Sequence, residues 1–251
     1  MDLFSLPRLG VVVPPENPTA EPEFNRLVGA GTNVYTVRFP VTPGAELRDM
    51  LETYNRVLPD VLGDFGSMRL DAAVVACSAS HYLLDPDGDR ALCDELSESA
   101  GYPVASSTQA ILALCEALGA TRLTLVSPYR PWLTDTSRGF WERAGLTVDD
   151  VVLVPAERTP DGGEHYDPYR VTTPEILRRI REHGLPDGSP LLFTGTGMGT
   201  LAALSELARG DGTGRPLFSS NLASAWWARR AVGGDTASAH PLLRHLDELA
   251  A

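Results

Sequence analysis

Short apolar runs alternate with segments of helical period along most of this chain. Leu9–Val13, Ala72–Ala76, Leu123–Val126, Val151–Val154, Leu191–Phe193 and Leu217–Ser219 are brief and mostly end in small, polar or turn-forming residues. That is the pattern of buried strands emptying into loops. Between them, Ala45–Leu62 places Leu47, Met50, Leu51, Tyr54 and Leu58 three or four positions apart, which is one face of a helix. Further helices are predicted over Arg90–Ser99, Thr108–Leu118, Thr134–Ala144, Pro174–Glu182, Leu201–Ala208 and Ala223–Ala231. Gly119 and Gly145 stand where helices end, and Pro174 stands at a first helical position. Apolar strands alternating with helices predict an α/β fold with parallel sheets covered by helices.

The pattern also repeats. Leu9-Gly10-Val11-Val12-Val13-Pro14 resembles Leu123-Thr124-Leu125-Val126-Ser127-Pro128, and Ala72–Ala76 before Cys77 resembles Leu191–Thr194 before Gly195 at a similar offset. Two α/β halves are expected. The first spans residues 1–115 plus 216–251 and carries Cys77; the second spans 116–215 and carries Gly195. Ligands of open α/β sheets bind beyond the carboxyl ends of strands, so the crevice between the halves is the expected site.

Four strand exits carry candidate chemistry. Cys77-Ser78-Ala79-Ser80-His81-Tyr82 offers a thiol, hydroxyls and backbone amides open to an anion. His81 is a candidate partner for Cys77, although a residue four positions on also reads as one that points elsewhere. Val13-Pro14-Pro15-Glu16-Asn17-Pro18 reads as a stiff turn presenting Asn17. Ser127-Pro128-Tyr129 presents a phenol that either donates to an oxyanion or packs half-buried. Phe193-Thr194-Gly195-Thr196-Gly197-Met198-Gly199-Thr200 lacks GxGxxG spacing and reads as a small-anion nest rather than a dinucleotide loop.

Composition narrows the function. The formal net charge of −12 disfavours nucleic acid and anionic membranes as partners. The acidic group Asp85, Asp87, Asp89, Asp94 and Glu95 reads as a solvated face rather than a metal site. Cys77, Cys93 and Cys115 are an odd number without paired spacing, which suits free thiols in a reducing cytoplasm. Cys93 and Cys115 read as plain thiols on helices. Met1–Leu9 lacks a signal-peptide core, and no apolar run is long enough to span a membrane.

Taken together, the strand exits resemble the aspartate/glutamate racemase superfamily, in its maleate cis-trans isomerase and arylmalonate decarboxylase branch. The matching segments are Gly10–Asn17 with Glu21 and Glu23, Ala76-Cys77-Ser78, Ser106–Ala110 with Leu118-Gly119-Ala120, Ser127-Pro128-Tyr129, and Pro216–Trp227. The resemblance implies two pseudo-symmetric, Rossmann-like or flavodoxin-like halves. It also implies an enzyme that needs no cofactor and no metal and acts on a small carboxylate between two cysteines. Cys77 matches the first cysteine, which in maleate isomerases adds to the substrate double bond. Asn17 matches a substrate-binding asparagine and Tyr129 a conserved tyrosine. His165-Tyr166 falls where isomerases carry a further substrate residue.

Two positions depart from that pattern. Gly195 stands where the second cysteine is expected, and Ala79 stands where decarboxylases carry a hydroxyl. The solitary thiol disfavours two-base racemisation. The expected function is a cofactor-independent isomerase of a small carboxylate or dicarboxylate working through Cys77. The alternatives are a malonate decarboxylase with one-faced protonation, or a non-catalytic carboxylate binder. Cys77 and Tyr129 are the expected catalytic residues. Pro14, Asn17, Ser78, Ala79, Gly195, Thr196, Gly197, His165 and Tyr166 are the expected substrate contacts. Phe39, His81 and Met198 are further candidate lining residues, and Arg38 reads as either a carboxylate clamp or a surface ion pair. A homodimer or larger homo-oligomer is the expected assembly.

Overall fold

The computed structural model describes residues 2–158, 163–184, 188–210, 214–235 and 237–251. In chain order the elements begin with β1 (Arg8–Val13), α1 (Ala20–Val28), β2 (Asn33–Arg38), α2 (Leu47–Gly63), β3 (Ala72–Val75), α3 (Ser78–His81), α4 (Pro86–Ala100), β4 (Val104–Ser106) and α5 (Ser107–Ala117). They continue with β5 (Arg122–Ser127), α6 (Pro131–Arg143), β6 (Thr147–Leu153), β7 (Glu157–Arg158), β8 (Glu164–His165), α7 (Thr173–His183), β9 (Leu191–Phe193), α8 (Leu201–Gly210) and β10 (Leu217–Ser219). The last two are α9 (Ser220–Val232) and α10 (Pro241–Leu249).

Two parallel four-stranded sheets result, ordered β2-β1-β3-β4 and β10-β9-β5-β6. The repeat seen in the sequence is the symmetry of the fold. β1 and β5 are each flanked by the next strand in sequence on one side, β2 or β6, and by the strand leading to Cys77 or Gly195 on the other. The central strands register Val11 beside Val74 and Leu125 beside Leu192. Nearly every residue of β1, β3, β5 and β9 is buried, because helices cover both faces.

Helix ends follow ordinary capping. Asp85 accepts from the Gly88 N–H at the start of α4, and Ser106 accepts from the Gln109 N–H at the start of α5. Ser219 does the same for α9 through the Leu222 N–H. The pairing of β10 with β9 places Leu217–Ser219 in the second sheet, so a boundary at 216 falls one strand too early. The chain returns to the first half with α9, which packs on α5, α1 and β3. A short antiparallel pair, β7 with β8, lies apart from both sheets.

Candidate active site

Cys77 caps the amino end of α3, a single turn directly after β3. The side chain is 3% exposed, and burial pushes the thiol above its ordinary value. The Ser80 hydroxyl and the backbone amides of Ser80 and Ala79 oppose that shift, because they face the sulfur and favour its anion. The same hydroxyl donates to the Cys77 carbonyl at 3.1 Å. His81 does not reach the sulfur. Its Nδ1 lies 2.7 Å from Asp89 Oδ1, and both side chains are fully buried. Asp89 therefore does not belong to a solvated acidic face. Cys93 and Cys115 are buried, unpaired thiols, as expected.

A cavity of about 170 Å³ opens beside Cys77 between the two halves. Pro14, Asn17, Ser78, Ala79, Tyr129, Tyr166, Thr196 and Gly197 line it together with Cys77. One wall is carbon from helix faces: Leu47, Met50, Leu51 and Tyr54 on α2, and Leu133 on α6. Arg130 is the one cationic residue among the described residues lining the cavity, and it is exposed. The Arg48 guanidinium lies 5.3 Å over the Trp132 ring, joining α2 to α6 across the halves.

The polar groups differ in what they have left to offer. Ser78 Oγ is buried beside the Tyr82 hydroxyl, and neither oxygen makes a hydrogen bond of good geometry among the described residues. Ser78 Oγ is a donor ready for an oxyanion. Thr196 is already spent. Its hydroxyl donates to the Ala76 carbonyl at 2.7 Å and accepts from Asn17 Nδ2 at 3.3 Å. Asn17 Oδ1 accepts the Thr19 and Ala20 amides at 2.9 and 3.0 Å, which fixes its NH₂ group towards the second half. The Gly195 amide donates to Ser220 Oγ at 3.0 Å, so it is not free to hold a carboxylate.

Gly195 is also the place where the halves stop matching. Its φ is +90°, whereas Cys77 sits at φ −146°. A Cβ built on Gly195 would stand 2.7 Å from Tyr129 Oη and 3.0 Å from Cζ. The Tyr129 phenol thus fills the space that a second side chain would take. Its ring packs edge-on against Tyr82, which in turn meets Phe140 and Trp141 edge-on. Burial pushes the phenol well above its ordinary pKa, keeping it a proton-bearing donor. Gly197 has a similar reason to be glycine, since a Cβ there would stand 2.4 Å from the Tyr169 ring.

Beneath this loop, Glu23 of α1 accepts the Thr200 and Leu201 amides at 2.7 and 3.2 Å, where α8 begins. Asn221 Nδ2 donates both to Glu23 Oε2 at 2.8 Å and to the Thr196 carbonyl at 3.0 Å. Burial pushes the Glu23 carboxyl up, against the pull of those donors. The network locks the glycine loop of the second half onto the first.

Several expectations take a different form. His165 lies on β8 and does not line the cavity; the neighbouring Tyr166 does. Phe39 stacks on Tyr54 at 4.4 Å, behind the cavity wall, and Met198 is fully buried without lining it. Arg38 pairs with Glu21 at 2.7 Å and donates to the carbonyls of Pro14, Pro15 and Asn17, so it braces the β1 exit. Tyr54, Tyr169 and Leu133 were not expected in the site. Tyr54 was legible only as part of an apolar helix face.

The profile of the arylmalonate decarboxylase family matches residues 9–242. The chain belongs to the arylmalonate decarboxylase family. Solved structures agree on the fold. A cysteine-to-serine variant of Nocardia farcinica maleate cis-trans isomerase, with a covalently bound succinylcysteine intermediate, superposes with a TM-score of 0.78 at 22% identity. The alignment covers 96% of this chain and 99% of that one. A liganded arylmalonate decarboxylase variant, with one glycine changed to cysteine and one cysteine to serine, gives 0.74 at 20% identity over 93% and 97%. Maleate isomerase from Pseudomonas putida S16 gives 0.71 at 21% identity over 93% and 99%. No curated protein matches the chain. Decarboxylase and isomerase structures thus share the fold of this chain, and no helix among the described residues is long and apolar enough to cross a membrane.

Proposed function

We propose that this chain is a cofactor-independent enzyme of one-faced carbanion chemistry, and specifically a decarboxylase of disubstituted malonates in which Cys77 is the proton donor. The observation that carries this reading is the state of the sulfur. Burial keeps it protonated at rest, and among the described residues no carboxylate or imidazole hydrogen-bonds it to remove that proton. The amides of Ala79 and Ser80 nevertheless face it and stabilise the thiolate as it forms. Such groups favour the transition state over the resting thiol, which suits a general acid.

In the proposed reaction one substrate carboxylate is held by Ser78 Oγ and Tyr129 Oη. The other lies against the carbon wall of Leu47, Met50, Leu51 and Leu133, where its charge is poorly solvated. Cleavage of the bond to that carboxylate releases carbon dioxide and leaves its electron pair in an enediolate on the retained carboxylate. Cys77 gives its proton to the α-carbon from one face, and the thiolate regains a proton from water.

The isomerase reading uses the same site, with Cys77 adding to the double bond of an unsaturated dicarboxylate. It is favoured by the donors available for two carboxylates, Ser78 and Tyr129 on one side and Asn17 on the other, and by the succinylcysteine formed in the Nocardia farcinica enzyme. Separate incubation with an α-aryl-α-methylmalonate and with maleate decides between them. Carbon dioxide and one product enantiomer support the decarboxylase; fumarate without carbon dioxide overturns it in favour of the isomerase. A cytoplasmic location belongs with this reading, since all three thiols are free.

A further inference from the structure

Asp89 is fully buried, does not line the cavity and takes no part in the chemistry above. Its carboxylate nevertheless gathers four strong donors from three elements. His81 Nδ1 of α3 lies at 2.7 Å, Thr108 Oγ1 and Gln109 Nε2 of α5 at 2.6 and 2.9 Å, and Ser106 Oγ, at the end of β4, at 3.0 Å. Cys93 Sγ, on the same helix as Asp89, stands 3.8 Å away. His81 and Cys93 are the titratable groups against the carboxylate, and the Tyr82 phenol is near enough to feel its charge; its other partners are neutral hydroxyls and an amide. Burial opposes the charge of Asp89, but His81, Thr108 and Gln109 outweigh it and hold the carboxyl below its ordinary range.

The adjoining residue on α5 reaches the other side of Cys77. Ser107 Oγ donates to the carbonyl of Val75, the last residue of β3, at 3.0 Å. Both flanks of the thiol thus hang from one point at the start of α5, through Ser107 before it and through Asp89 and His81 after it. A single helical turn has too few hydrogen bonds to fix itself. α3 therefore owes the aim of its amides to outside anchors, among them the buried Asp89 and the bond from Asn55 Nδ2 to the Ser80 carbonyl at 2.8 Å. The glycine loop of the second half is likewise held from outside, by α9 and α1 of the first half. Ser220 holds Gly195, and the carboxylate of Glu23 holds Asn221.

We propose that Asp89 is the positioning residue of the Cys77 thiol, clamping α3 to α5 so that the Ala79 and Ser80 amides stay on the sulfur. The inference rests on Cys77 as the working thiol but not on which reaction it serves. The sign of its effect is diagnostic. If the carboxylate acted through its charge alone, neutralising it would ease ionisation of the sulfur. If it positions α3, the same change removes hydrogen bonds from the thiolate and makes ionisation harder.

The test is the pH dependence of Cys77 alkylation by iodoacetamide in the full chain, read by peptide mass spectrometry, with folding followed by circular dichroism. In Asp89→Asn the alkylation curve is expected to move to higher pH by about one unit, the worth of one hydrogen bond to an anion. Thr108→Val removes one donor from the clamp and is expected to shift the curve the same way by less, which decides the matter where Asp89→Asn does not fold. A folded variant whose curve stays in place or moves to lower pH overturns the proposal. Because no substrate is turned over, the result is independent of the decarboxylase reading.

Discussion

The Tyr129 hydroxyl stands 2.7 Å from the point where a side chain on Gly195 would begin. With φ at +90°, Gly195 also occupies a conformation that L residues rarely adopt. The second face of the site is therefore closed twice, by the backbone and by the phenol. Gly195→Cys is expected to destabilise the protein by about 1–3 kcal/mol and to leave a single product enantiomer. Thermal melts and chiral chromatography check both. A stable Gly195→Cys variant that racemises its product would show that the second face is open.

Ser78 Oγ makes no hydrogen bond of good geometry among the described residues and faces the cavity beside the thiol. Ser78→Ala should therefore leave stability nearly unchanged while lowering kcat by about 10²–10³-fold, the usual loss for one oxyanion donor. Steady-state kinetics beside a denaturant titration separate the two effects.

Thr196 ties the halves together through the Ala76 carbonyl and Asn17. Thr196→Val removes both bonds and strands a buried carbonyl, at an expected cost of about 1–3 kcal/mol. Thr196→Ser keeps the hydroxyl and should restore most of it. The midpoint of urea unfolding reports this directly.

Cys115 is pushed up to about 12 by burial alone. The folded state holds this proton more tightly than the unfolded chain, whose thiol titrates near 8.5. Its contribution to stability is complete below about pH 8.5 and is lost as pH rises towards 12, at about 1.4 kcal/mol per pH unit. Unfolding measured from pH 8 to pH 11 should steepen accordingly, and Cys115→Ala should flatten that dependence while lowering stability at pH 7.

Much of this was legible in the chain. The central strands Leu9–Val13 and Leu191–Phe193 are buried on both faces, so unbroken apolar runs mark them. The internal repeat pairs Leu9–Val13 with Leu123–Val126 and Ala72–Ala76 with Leu191–Thr194, and small polar residues after β3 mark the exit that holds Cys77. Other parts were less visible. β4 is only three residues long, and α3 is a single turn built from Ser78–His81, too short for a period to show. Asp89 lies in a run of acidic residues that looks solvated, and only the fold turns it inward onto His81 and Thr108. Tyr169 and Leu133 reach the cavity by tertiary packing of segments far from Cys77. The space beside Gly195 is filled by Tyr129, a contact between two strand exits that no local pattern contains.

The most direct measurement is the deuteration and chirality of the product when an α-aryl-α-methylmalonate is decarboxylated in deuterium oxide, by the natural chain and by Cys77→Ala. The natural chain should release carbon dioxide and place one deuterium at the α-carbon in a single configuration, and Cys77→Ala should lose about 10²–10⁴-fold in rate. A racemic product, or undiminished turnover without the thiol, would contradict one-faced proton donation by Cys77.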